Sequence, residues 1–180
     1  MTIVAQAHER LEANSYSVLG SLRDGCRIEI RALRPTDRDE FLSAVGRISE
    51  SSSARRFFGA KRHFSEKEVA YFVDVDFVTH VALVAVADEG RGAIIAGGRY
   101  IVVHPSCAEV AFLVTDEFQG QGLGLLLMGH LTAIARGAGL HEFAAEVLAD
   151  NRPMMRVFEA SGLPLTTRRD GAVIHVALKL

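Results

Sequence analysis

The sequence predicts one α/β domain on a mixed, mostly antiparallel sheet of six to seven strands, flanked by about four helices. Three observations predict it. Strand-length apolar runs recur along the chain, several of them joined by short Gly- or Pro-containing links. Helical stripes with a 3.6-residue period separate some of these runs. Hydrophobic residues make up 49% of the 180 positions, enough for a real core.

The elements follow in order as βααβββαβαββ. Residues 1–24 read as a lead-in, partly helical, that ends at the turn signal Asp24-Gly25. The domain proper then spans 25–180. Residues 26–33 alternate, with Ile28, Ile30 and Ala32 against Arg27, Glu29 and Arg31, as a half-buried strand does. Pro35-Thr36-Asp37 reads as a helix start, with Phe41, Leu42, Val45 and Ile48 on one face. Residues 49–53 read as a polar loop leading to a short segment at 55–58. Ser65 and Glu68 form a capping box that opens a second helix through Val69, Phe72 and Val73.

Three strands are expected next, at 80–87, 93–103 and 108–115, in an antiparallel meander. Gly90 and Gly92 mark the first link and His104-Pro105-Ser106 the second. Residues 122–136 carry the apolar stripe of a helix that Gly137 and Gly139 end. A strand at 143–149 precedes a helix that admits Pro153 in its first turn and stops at Gly162. Strands at 163–169 and 172–179 close the chain as a hairpin through Asp170-Gly171.

Composition excludes several functions. A formal charge of −2 without a basic stripe gives no case for nucleic acid. Cys26 and Cys107 lack the Cys/His spacing of a zinc site, so no metal is expected. No run is long enough to span a bilayer and the N-terminus is not a signal peptide, which leaves a reduced cytoplasmic protein as the expectation.

The informative stretch runs from Glu109 to Leu125, Glu-Val-Ala-Phe-Leu-Val-Thr-Asp-Glu-Phe-Gln-Gly-Gln-Gly-Leu-Gly-Leu. An apolar strand leads through a turn into Gly120, Gly122 and Gly124, which open an apolar helix. Clustered glycines let amides converge, and the helix start adds unpaired N–H groups and a positive dipole end. That combination cradles a phosphate or diphosphate. A Walker loop would need Lys after Gly124, and a dinucleotide fingerprint would need Gly or Ala there; Leu125 fails both. Gln119-x-x-Gly122-x-Gly124 instead resembles the coenzyme A diphosphate loop of the GNAT superfamily of N-acetyltransferases.

Context strengthens the resemblance. In that superfamily the loop follows the fourth strand and precedes a long helix, a fifth strand, an Asn, a short helix and a Gly-aliphatic pair. Here these are residues 143–149, Asn151, the helix around Met154 and Gly162-Leu163. Ile30-Arg-Ala-Leu-Arg-Pro-Thr-Asp37, Arg55-Arg-Phe-Phe58, Val75-Asp-Phe77 and His80-Val-Ala-Leu-Val-Ala-Val86 further resemble the catalytic domain of bacterial protein lysine acetyltransferases that act on AMP-forming acyl-CoA synthetases. Many of those enzymes carry an added regulatory domain, which some twenty leading residues are too few to form.

An amine attacks a thioester only when neutral, and a lysine with a pKa of about 10.4 is almost wholly protonated at pH 7. A base must take its proton. Glu109, at the entry of an otherwise apolar strand and sharing a face with Cys107 and Ala111, is the candidate, with burial expected to raise its pKa. The resemblance implies the same role; a solvent-exposed strand-end Glu is the plain structural alternative. It also implies that the backbone of Phe112, Leu113 and Val114 binds the pantetheine arm of acetyl-CoA, with one amide supporting the oxyanion. Gln119, Gly120, Gln121, Gly122, Leu123, Gly124 and Leu125 would hold the diphosphate, and Asn151 would lie near the arm or cap the following helix.

Relatives often place a thiolate-protonating Tyr where this chain has Val157-Phe158, so no general acid is assigned. Cys107 as a nucleophile and His80 in the acceptor groove are weaker candidates than their structural alternatives. The expected activity is acetyl transfer from acetyl-CoA to a primary amine, most simply a protein lysine. A small-molecule amine is the alternative acceptor, and a non-catalytic acyl-CoA sensor is the alternative of another class. The sequence assigns no oligomeric state.

Overall fold

The computed structural model describes residues 12–57, 64–87 and 92–180, apart from the Phe57 side chain. Residues 1–11, Phe58 and Gly90, on which parts of the sequence reading fell, lie outside them. The described strands form one eight-stranded sheet. In chain order they are β1 (Ser17–Ser21), β2 (Arg27–Ala32), β3 (His80–Ala87), β4 (Ala93–His104), β5 (Cys107–Val114), β6 (Glu142–Leu148), β7 (Leu165–Asp170) and β8 (Val173–Lys179). The spatial order is β1-β2-β3-β4-β5-β6-β8-β7, and every neighbouring pair is antiparallel except β5-β6. The described helices are α1 (Arg38–Gly46), α2 (Glu50–Phe57), α3 (Glu66–Val73), α4 (Leu123–Gly137) and α5 (Arg152–Ala160).

The α/β class and the mixed sheet agree with the sequence, and two elements add to it. Within the expected lead-in, Ser17–Ser21 is an edge strand on β2. All five of its residues are exposed, so it carries no burial pattern that a sequence could reveal. Tyr16, just before it, meets His130 of α4 edge-on, and its hydroxyl hydrogen-bonds His130 Nδ1. The second addition is α2, which takes up most of the expected polar loop. Ser49 acts as its cap, its Oγ accepting from the Ser52 N–H at 3.3 Å, so the serine run starts a helix rather than interrupting one.

The sheet divides two cores. On one face α4 buries Leu123, Leu127, Met128 and Leu131 against Val110 and Phe112 of β5 and Phe143 of β6. On the other, α1 and α3 enclose Phe41, Val45, Val69 and Val73, with Leu113 against them. The capping box at Ser65 forms as the sequence predicts, Ser65 Oγ accepting from the Glu68 N–H and Glu68 accepting from the Ser65 N–H.

Where β2 leads to α1, Arg31 and Asp37 form a two-pronged buried pair at 2.7 and 2.8 Å. Asp37 also accepts from the Arg34 N–H at 2.7 Å. Burial opposes ionisation of Asp37, but the bonds from Arg31 and Arg34 outweigh it and hold the carboxyl below its ordinary range. Asp37→Ala leaves a buried guanidinium without its carboxylate, and the expected cost is about 3 kcal/mol in urea unfolding. The Asp37 contribution is present above its unfolded pKa of about 3.9 and is lost as pH falls through the lower folded value. Wild type therefore loses stability to acid in that window, and the Asp37→Ala chain lacks that component.

Candidate active site

β5 and β6 pair only at Cys107↔Glu142, Ala108↔Phe143 and Glu109↔Ala144. Beyond Glu109 they part, and a cleft of about 420 Å³ opens between them. Residues 110–114 of β5 form one wall and residues 145–147 of β6 the other, with the start of α4, α5 and α2 closing around them. The Thr115 N–H donates to Ile95 O at 3.0 Å, so Leu113 and Thr115 turn their backbone groups toward β4. Strand alternation then aims those of Phe112 and Val114 into the cleft. The Val114 carbonyl does accept from the side, from Gln119 Nε2 at 3.2 Å. Of the three residues expected to bind through backbone, Phe112 and Val114 are so placed. Leu113 is spent on β4, and its side chain packs under α1 and α3.

At the far end lies the glycine loop. Gly120 and Gly122 have φ of 77° and 91°, a left-handed backbone that other residues adopt at a cost. No heavy atom lies within 4 Å of a Cβ built on either, so both face open space. Gly124 serves packing: its Cβ would stand 3.1 Å from Val157 of α5. The first helical bond of α4 is from the Leu126 N–H to Gly122 O at 3.0 Å. The amides of Leu123, Gly124 and Leu125 thus have no acceptor within the helix and stand at its positive end.

Gln119 orients this loop. Its Nε2 reaches Ser52 Oγ at 3.0 Å and Asp116 Oδ1 at 3.0 Å as well as Val114 O. Asp116 in turn accepts from the Ser49 N–H at 3.0 Å and the Ser52 hydroxyl at 2.8 Å. Desolvation works against its ionisation, yet these bonds hold its carboxyl below the usual range. The network ties α2 to the glycine loop. Gln121 Oε1 is buried with no hydrogen-bond partner. Asn151 both lines the cleft and caps α5, its Oδ1 accepting from the Met154 N–H at 3.2 Å.

Glu109 sits at the fork where the strands part, on the sheet face that carries Cys107 and Ala111. It is exposed, so the burial expected of it is not present. Its charge acts on Arg56 of α2. Desolvation and the neighbouring Glu142 carboxylate, 3.9 Å from its Sγ, push the Cys107 thiol pKa up, which disfavours the thiolate that a nucleophile needs. His80 is buried, with its Nε2 3.0 Å from Arg99 Nη1, and burial and that guanidinium lower its pKa to about 4. It is a neutral structural acceptor, as its plainer reading held. Phe158, at the place of the relatives' acid, is 1% exposed and meets Phe112 edge-on, so it gives no proton.

Sequence reasoning missed Arg55, Arg56, Arg156 and Glu146 as cleft residues. The Arg55-Arg56 pair was visible but looked like solvated surface; only the position of α2 brings it to the cleft. Glu146 pairs with His175 Nδ1 at 3.3 Å, through a strand pairing no local pattern reveals.

A cleft in mid-sheet with free strand edges on its wall, an open amide cradle at its end and three arginines in its lining fits a long anionic ligand with a diphosphate and an amide-bearing arm. The model of the GNAT acetyltransferase family matches residues 48–163, which contain this cleft. The chain belongs to that family, whose members transfer acetyl groups from acetyl-CoA. Acetyl-CoA, its co-substrate, fits the cradle, and no cluster of metal ligands occurs among the described residues.

Particular relatives narrow the class. The acetyltransferase Pat of Mycolicibacterium smegmatis is 32% identical over 163 residues, covering 89% of this chain and 48% of its own length. The acetyltransferase PA5475 of Pseudomonas aeruginosa is 32% identical over 136 residues, covering 74% of this chain and 73% of its own. The chain thus spans about half the length of the mycobacterial relative. Among solved structures, the GNAT domain of S. lividans PAT superposes with a TM-score of 0.83 at 34% identity, covering 91% of this chain and 97% of that one. A spermidine N-acetyltransferase from Vibrio cholerae, at 15% identity and a TM-score of 0.66 over 84% of this chain and 95% of that one, shares the fold. Among the described residues, no helix is long and apolar enough to cross a membrane.

Proposed function

We propose that this chain is a cytoplasmic protein lysine acetyltransferase, working by direct attack with Glu109 as general base. The observation that carries it is the placing of Glu109 at the fork of β5 and β6, where the sheet opens into the cleft. A thioester with its diphosphate at the glycine loop and its arm along β5 would present its carbonyl near that fork. Glu109, directly or through water, takes the proton from the incoming ammonium. The nitrogen then bonds to the carbonyl carbon, the C–S bond breaks with its electron pair leaving on sulfur, and the second amine proton passes, through water, to that thiolate. The cleft-facing amides of Phe112 and Val114 are the donors available to the developing oxyanion. A thiol of pKa about 8.5 is a fair leaving group unaided, so the buried Phe158 in the acid's place does not preclude turnover.

The lysine acceptor is supported by the likeness to Pat and to the GNAT domain of S. lividans PAT, and by the motifs quoted from β2, α2 and β3. An acyl-CoA synthetase is the acceptor these motifs suggest. The folded unit of this reading includes β1 as well as residues 25–180. Incubating the chain with labelled acetyl-CoA and cell extract should label a protein on lysine. Label confined to small molecules would replace the lysine acceptor by a small amine. No label at all, with acetyl-CoA still bound, would leave a sensor.

A further inference from the structure

On the sheet face that carries Glu109, away from α4, lies a guanidinium outside the lining of the coenzyme cleft. Arg99 of β4 pairs with Ala111 of β5, and Ile101, two residues on, pairs with Glu109. Residues opposite one another or two apart share a face, so Arg99 and Glu109 project from the same face of the sheet. α3 roofs it: Arg99 lies over the Phe72 ring, 4.8 Å from its centroid, and the Tyr71 ring stands 5.5 Å from that of His80.

A guanidinium has five N–H donors. Among the described residues, the hydrogen-bond acceptor of Arg99 is His80 Nε2, a neutral atom, and no carboxylate lies within ion-pair distance. Burial, and after it the charge of a second cation, Arg56, lowers the Arg99 pKa to about 9. Glu109 acts on Arg56 instead. A half-buried, oriented guanidinium without a counter-ion is costly to keep, and an apolar side chain would pack there at less cost. Arg56 lines the coenzyme cleft and Arg99 does not, so coenzyme phosphates are not the missing partner of Arg99.

We infer that the acceptor brings that partner: its amine belongs to a molecule with a carboxylate close by, which the Arg99 fork receives on the sheet face that carries Glu109, with Arg56 adding positive charge. The inference rests on the proposed acetyl transfer at Glu109 and names the acceptor chemistry for it. An ammonium alone would meet two cations and one carboxylate; an amine with its own acid arrives with the opposing charge in place. His80 keeps one edge of the guanidinium fixed, leaving the other for two-pronged binding of a carboxylate. That carboxylate can come from an acidic residue flanking an acceptor lysine or from a free amino acid.

Two measurements test this. First, the Arg99 Nε–H signal is followed by NMR as N-acetylglutamate α-amide is added, with the glutamine analogue as neutral control. A saturable shift with the acid only is expected; no shift overturns the inference, whether or not the chain acetylates anything. Second, acetyl transfer is measured on lysine peptides differing only in a flanking Glu or Gln, and on free lysine against the matching alkylamine. The acid-bearing member of one pair should have a kcat/KM about tenfold higher, as a charge-assisted bond gives. Arg99→Gln should bring that ratio near one without raising the KM for acetyl-CoA. If Arg99→Gln does not fold, Arg99→Lys, which keeps the charge but loses the fork, should show a reduced ratio. Preference in the peptides places the acid on a protein, and preference in the free amines places it on a small molecule. A ratio unchanged by the Arg99 substitutions overturns the inference. A shift by NMR without transfer to any amine would sink the transferase reading while the anion site stands.

Discussion

Glu109→Gln should lower kcat by about 10²–10⁴-fold while acetyl-CoA affinity stays within about twofold. The size follows from the role. A Gln amide is isosteric with the carboxylate but takes no proton, so the acceptor must react through its small neutral fraction. The position makes the test clean, because Glu109 is exposed in the free chain and the swap removes no buried contact. Glu146→Gln is the comparison. Glu146 lines the cleft but is held by His175 across β6 and β8, away from the fork. Its loss should cost far less rate. Steady-state kinetics with a fixed amine, alongside calorimetric titration of acetyl-CoA, separate the outcomes. Equal losses for both substitutions would remove Glu109 from the role of base, and retained turnover in Glu109→Gln would do the same.

Gly122→Val should raise the KM for acetyl-CoA at least about tenfold while the chain still folds. Gly122 sits at φ 91°, the residue before the first turn of α4, where a branched side chain is strained by at least about 1–2 kcal/mol. Its Cβ would meet no protein atom within 4 Å. The side chain therefore projects into the open space at the start of α4, where the diphosphate is proposed to bind. Thermal unfolding should show a loss of the size of the strain, and the KM a larger effect than that strain explains. A KM near wild type would place the diphosphate elsewhere. Gly124→Val gives a different phenotype, since its Cβ meets Val157 and separates α4 from α5: loss of fold comes before loss of affinity.

The glycine loop and the proposed base were legible for different reasons. Gly120, Gly122 and the start of α4 act through their own backbone, so a short stretch of sequence specifies the cradle. Glu109 was singled out as a charge at the head of an apolar strand. Its environment was misjudged, because the strands part beside it and leave it exposed. Gln119 was placed in the loop, but its bond to Ser52 depends on α2, some sixty-seven residues away along the chain.

By itself the sequence determined what short-range physics controls: the capping box at Ser65, the hairpin at Asp170-Gly171, the alternation at the start of β2 and the glycine turn into α4. Tertiary structure alone decided the rest. It paired the uniformly exposed β1 with β2, ended the β5–β6 ladder at Glu109, and brought Arg56, His80 and Arg99 together from α2, β3 and β4. Local patterns report backbone geometry and which face is buried. The partner a charged side chain meets depends on contacts between distant segments, and no periodicity along the chain records it.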